Sequence, residues 1–338
     1  MGAEVRASLI ALLLVVFATG IGVAVGVRAR PAPAPRPVPS PTTFALPSST
    51  PADPAEAQRR AFAQPLSAGC ATARAVWLFA DGGLAIRYDG RTWTIPDPTL
   101  RSLLAAQCDQ ATALAVGRGG SLLTIDDELR QVRVDRFGTD DLTAVSRFPG
   151  GAVAVGAAGI VAEQGELGWR LVPAGATEDL HGVVVPATRV VRPGRAQAWA
   201  VGAGGATYRL VGTGWERVPA GTGTLRAVVQ QDDVALAVGD RGTIVRFIDG
   251  TWTALAAGTD ADLRAIAFVG AAMAWIVGDR GTVIELSGDS VRRVDLGTTC
   301  TLRAVFAQGS AVWVVGSDGV RGGAWRVAPA GTDRWGTC

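Results

Sequence analysis

Residues 225–262 read LRAVVQQDDVALAVGDRGTIVRFIDGTWTALAAGTDAD, and this stretch decides the fold. It divides into four short β-rich runs, LRAVVQ, VALAVG, TIVRF and WTALAA, separated by QDD, DRG and DG, whose Asp and Gly residues suit tight hairpins. The first two runs are apolar on both faces rather than alternating. A small sheet of that kind must be covered on both sides, as the blades of a ring cover one another. The phrase restarts at Leu66, Leu103, Leu142, Leu180, Leu225, Leu263 and Leu302, giving units of 37, 39, 38, 45, 38, 39 and 37 residues. Such a period marks a repeat architecture. Seven units over 66–338 predict an all-β, seven-bladed β-propeller with blades starting near those leucines.

The third residue of the second turn is Gly in every unit: Gly83, Gly120, Gly159, Gly205, Gly242, Gly281 and Gly319. A position held by Gly in seven divergent copies is expected to need positive φ. Tryptophans follow the period too. Trp77, Trp199, Trp275 and Trp313 precede the Val-Gly position, while Trp93, Trp169, Trp215, Trp252 and Trp325 are expected to open the fourth strand. Both placements assign them to packing between blades. Unit seven is short between its Val-Gly and its Trp, which predicts a stunted third strand or one donated by residues 58–64.

Ahead of the repeats, residues 7–27 carry no charge and would span about 31 Å at roughly 1.5 Å per residue, enough for a hydrocarbon core. This predicts an uncleaved transmembrane signal anchor following a short cytoplasmic N-terminus, residues 1–6. Residues 28–60 read as a Pro-rich stalk, with nine of the eighteen prolines falling in 31–54. Arg6 flanks one end of the apolar run and Arg28, Arg30 and Arg36 the other, which by charge alone would favour a cytoplasmic C-terminus. The cysteines decide against that. Cys70 and Cys108 follow their restart leucines by four and five residues, and Cys300 and Cys338 each end a unit. Equivalent places on adjacent blades can reach the separation of a disulfide, which predicts Cys70 with Cys108 and Cys300 with Cys338. Structural disulfides imply an oxidising compartment, so the propeller is expected to be periplasmic or extracellular on a single-pass membrane protein.

The net charge is +2, every basic residue is Arg, and no basic run occurs, which argues against nucleic acid as a partner. His181 is the one histidine, no CxxC is present, and no metalloprotease helix, nucleophile elbow or phosphate loop appears. No catalytic residue, metal or cofactor is therefore expected. The alternative is a glycan-binding or glycan-cleaving propeller, faintly suggested by the Asp-Gly-x-Trp turns.

The turns VGDRGTIVRFIDGTW, VGDRGTVIELSGDSV and FADGGLAIRYDGRTW carry a resemblance. They are similar to the VGxxGxIxxxxDGxxW pattern of the Ycf48/Hcf136-like propeller family, and to propeller repeats of myxobacterial surface proteins. The likeness covers 66–338, although the fuller DGGxxW turn is not kept. It implies the propeller fold; the best-known family members are photosystem II assembly factors, but nothing in this sequence implies a photosynthetic host.

Function is therefore sought where the chain departs from its period. The unit-joining loops and second turns should emerge on one face. That face gathers Arg226, Arg264 and Arg303 with Asp240, Arg241, Asp279, Arg280 and Asp318, and also Asp141, Asp179 and Asp262. Unit four carries eight additional residues, a candidate recognition loop with His181, Arg189, Arg192 and Arg195. The expected partner is an envelope protein, bound by a monomeric scaffold or assembly factor.

Overall fold

The computed structural model describes residues 42–44, 53–96, 101–129, 132–186, 198–212, 214–270 and 273–338. They form seven antiparallel sheets, each with four consecutive strands, arranged as the blades of a propeller. Blade five is the clearest example. Its strands Leu225–Gln231, Val234–Gly239, Ile244–Ile248 and Thr251–Leu255 run from the axis outward. The second strands are buried along nearly their whole length, as the two-faced apolar runs require. Seven apolar clusters lie between successive blades, one for each interface. Trp199, Phe247 and Trp252, for example, fill the space between blades four and five.

All seven turn glycines have positive φ, from 67° at Gly242 and Gly281 to 94° at Gly319. Space demands Gly as well. A Cβ on Gly120, Gly159, Gly205, Gly242 or Gly281 would collide with a backbone carbonyl in the segment leading to the next blade. The turn and the blade-to-blade connection are therefore pressed together at the same place in each repeat.

Blade seven corrects the expectation of a donated strand. Thr301–Gln308, Ala311–Ser317, Gly322–Ala328 and Gly331–Gly336 all belong to it. Its third strand is seven residues long rather than stunted, because the short SDGVR turn frees Gly322 onward for pairing. Trp325 consequently lies in the third strand, and Trp335 occupies the fourth. No strand is shared between blades one and seven. An aromatic seam closes the ring: Trp335 stacks on Trp313 at 5.1 Å and meets Trp93 and Tyr88, while Phe62 packs edge-on to Trp93.

The segment before the first blade also differs from an extended stalk. Asp53 caps a helix, Pro54–Ala61, by accepting from the Ala55 N–H, and Ala57 and Ala61 are buried against the seam. Residues 58–64 thus close the ring by packing, together with one hydrogen bond from the Gly322 N–H to the Phe62 carbonyl. Farther upstream, Thr42–Phe44 pairs with Val132–Arg136 as a fifth, outermost strand on blade two. The predicted anchor at 7–27 lies outside the described residues. Among the described residues, no helix is long and apolar enough to cross a membrane.

Both disulfides have the predicted pairing, Cys70–Cys108 and Cys300–Cys338, with Cα separations of 5.5 and 6.0 Å. The first joins the inner strands of blades one and two. The second ties Cys338, just beyond the last strand of blade seven, to the connection entering that blade.

Candidate functional site at the axial channel

Each inner strand begins with the same irregularity. The register slips by one residue after the restart leucine, between Leu66 and Ala68 in blade one and at the equivalent place in the other six. A bulge leaves one residue unpaired and re-aims its side chain. The paired Val-Gly glycine makes the bend feasible, because a Cβ on Gly239 or Gly278 would strike the carbonyl before the leucine.

The seven bulged residues are Ser67, Leu104, Thr143, His181, Arg226, Arg264 and Arg303. They sit at the mouth of an axial cavity of about 220 Å³, lined by residues 67–69, 104–106, 143–145, 181–183, 226–228, 264–266 and 303–305. The mouth is unequal around its circumference. Blades one to three contribute neutral residues, and the Ser67 and Thr143 hydroxyls are spent on the Leu103 and Leu180 carbonyls of the next blade. Blades four to seven contribute one continuous arc of His and Arg.

Two arginines of that arc are paired within their own blades. Arg226 binds Asp240, and Arg264 binds Asp279, whose other oxygen accepts from Arg264 Nη2 at 2.8 Å. The hydrogen bond from Arg264 holds the Asp279 carboxyl below the usual range despite partial burial. Arg303 has no such partner: it is exposed, and no ion pair is formed by it among the described residues. Its blade places Ser317 and Asp318 at the turn, and Asp318 accepts instead from the Val320 and Arg321 N–H groups.

Three further acids of this face are engaged with the backbone. Asp141, Asp179 and Asp262 each reach back to the preceding blade and accept from the N–H of Gly119, Ala158 and Arg241, at 2.8, 2.8 and 2.9 Å. Those three donors are left-handed turn residues, so the carboxylates latch one blade's turn to the next blade's entry. Ser102 makes the matching contact to the Gly82 N–H at 3.3 Å. Arg241 is exposed at its turn, and Arg280 pairs with exposed Asp260.

His181 departs from its expected place in the recognition loop: it lies on the inner strand Leu180–Val184, at the bulge. The unit-four insertion follows that strand, and Arg189, Arg192 and Arg195 fall outside the described residues. Burial keeps His181 below its ordinary pKa, with Arg226 adding to the effect and Asp179 and Asp240 opposing it. The bulge was the signal that sequence reading missed, although seven Leu-x-Ala or Leu-x-Gly restarts carry it.

The Asp-Gly-x-Trp turns lie at the opposite ends of the blades. Asp89 there caps the Arg91 and Thr92 N–H groups of its own turn. Among the described residues, no group of His, Cys, Asp and Glu is arranged to hold a metal ion.

No protein-family model and no curated protein matches the sequence. Solved structures do match. The chain has the propeller fold of YCF48. A structure of YCF48 bound to D1 peptide aligns with a TM-score of 0.60 at 13% identity, covering 88% of this chain and 95% of that one. YCF48 from Cyanidioschyzon merolae aligns at 0.59 and 14%, covering 85% and 99%. The WD40 propeller domain of Doa1 aligns at 0.65 and 13%, covering 84% and 96%. At these identities the likeness is one of fold, and it agrees with the resemblance carried by the repeat turns.

Proposed function

We propose that this propeller is a protein-binding scaffold that grips an acidic, extended segment of its partner at the channel mouth. The observation carrying this reading is the arc of His181, Arg226, Arg264 and Arg303 on four successive blades, opposed by three neutral residues. The latching carboxylates are already engaged with backbone N–H groups, which leaves exposed Arg303 to meet a ligand's carboxylates. The peptide seen on YCF48 supports a peptide as the kind of ligand.

The scaffold is a monomer in this reading, tethered by residues 7–27 with its N-terminus cytoplasmic and the propeller outside. The uncharged 21-residue run and the two disulfides support that arrangement. Residues 28–41, ahead of the strand Thr42–Phe44 that joins blade two, would serve as the spacer.

The test is binding of a fluorescent Asp-Gly peptide of about ten residues by the full-length chain in detergent. Arg303→Glu reverses the most exposed charge of the arc, and affinity is expected to fall about tenfold or more at low salt, with less effect as salt rises. Unchanged affinity in R303E, or no binding by the unaltered chain at any salt concentration, rejects the site. Crosslinking in intact cells then identifies the partner.

A further inference from the structure

His181 breaks the arginine series of the arc. It occupies in blade four the position that Arg226, Arg264 and Arg303 occupy in the next three blades. Among the described residues no hydrogen bond engages its imidazole. The charged groups facing it are Arg226 and Asp240 from blade five and Asp179 from the connection into its own strand. On the other side blade three presents neutral Thr143, while Asp141 is turned to the Gly119 N–H.

Resting on the reading above, we propose that capture of the anionic segment is coupled to protonation of His181, so the mouth binds more tightly as pH falls through the histidine range. The coupling follows from the neighbours. Burial and the Arg226 charge lower the proton affinity of the imidazole, and the two nearby carboxylates that oppose them are otherwise committed. Asp179 holds the Ala158 N–H, and Asp240 holds Arg226. A ligand carboxylate drawn to the arc adds an opposite charge at the mouth that His181 itself lines, which favours the imidazolium. Linkage makes the effect reciprocal: the factor by which the anion raises proton affinity is the factor by which the proton raises anion affinity. A rise of one pKa unit on binding corresponds to about tenfold in affinity. The gain is fully present below the pKa of the free protein and absent above that of the complex.

Histidine occurs once in the sequence, so the assignment can be read directly. The full-length chain in detergent is titrated calorimetrically with the Asp-Gly peptide at about pH 5.5 and about pH 8, in two buffers of different ionisation heat. Affinity is expected to be about tenfold higher at the lower pH, with proton uptake. His181→Gln, checked for unaltered thermal unfolding, is expected to bind with no pH gradient in this range. The single imidazole Cε1–H resonance, followed by NMR with and without peptide, reports the shift without any substitution. A pH-flat affinity in the unaltered chain, a gradient retained in H181Q, or a resonance whose titration ignores the peptide overturns the coupling while leaving the binding site standing. Failure of the peptide to bind at either pH removes the site and the coupling together.

Discussion

At the scale of single residues, the turn glycines and the Arg–Asp pairs make different demands. Gly242 combines a φ of 67° with a Thr259 carbonyl placed where a Cβ would go, whereas Gly250, at 88°, has open space around it. Gly250→Ala is therefore expected to cost about 1 kcal/mol from the backbone alone. Gly242→Ala should cost about 2 kcal/mol more, since the blade-to-blade connection must move. Urea unfolding of the two variants measures the difference, and equal losses would remove the close-approach argument. Asp279 makes a pH prediction. Its carboxyl is held low by Arg264, so the stabilisation is fully present above the ordinary carboxylate pKa of about 4 and is lost as pH falls through the depressed value. In Asp279→Asn the stability deficit should accordingly shrink as pH is lowered from about 5 to about 2. The pair is partly exposed, so the deficit at neutral pH is expected to be only about 0.5–1 kcal/mol. A deficit that stays constant with pH would assign the loss to packing.

Among the elements, the inner strands and the covalent ties around them decide what the propeller can present. Cys300–Cys338 closes a separation of 38 residues, for which chain entropy gives about 3–4 kcal/mol. Cys338→Ser should lower the urea midpoint by a corresponding amount, and dithiothreitol should then add only the loss from Cys70–Cys108. These pairings were readable because cysteines at matching repeat positions must lie on neighbouring blades. The turn glycines were readable for the same reason: sevenfold repetition turns a weak local preference into a requirement. What the sequence concealed were the features that depend on register. A one-residue bulge moves Arg226, Arg264, Arg303 and His181 from a nominal strand into the channel mouth, and hydrophobic periodicity has no sign for it. The latching role of Asp141, Asp179 and Asp262 was hidden similarly, because an acid before a strand looks the same whether it caps a neighbouring turn or awaits a ligand. In unit seven the tryptophan period misled, since Trp325 matches the fourth-strand position in spacing but lies in the third strand, paired with Val314 of the second.

For the molecule as a whole, the question is what keeps a ring closed when no blade is completed by strands from both ends of the repeat region. Blades one and seven are each stapled by a disulfide on the side away from their shared interface, Cys70–Cys108 toward blade two and Cys300–Cys338 at the entry from blade six. The interface itself has no covalent tie. It relies on the helix Pro54–Ala61, the Gly322 to Phe62 hydrogen bond and the aromatic group of Tyr88, Trp93, Trp313 and Trp335. Trp335 meets the other three, so its removal strips the seam of contacts from both blades at once. Trp335→Ala is expected to cost about 3 kcal/mol, the low end for a tryptophan because the ring is only partly buried. The location of the loss is the sharper expectation. Amide exchange should accelerate in Leu66–Ala71, Val76–Ala80 and Ala311–Ser317, while blades three to five keep their protection. Trp252→Ala, at the interface of blades four and five, serves as the comparison, because there the chain itself crosses from one blade to the next. That variant should lose stability without loosening the seam. Uniform acceleration around the ring in W335A would mean that the propeller opens as one unit, and that its closure is no weaker than any other interface.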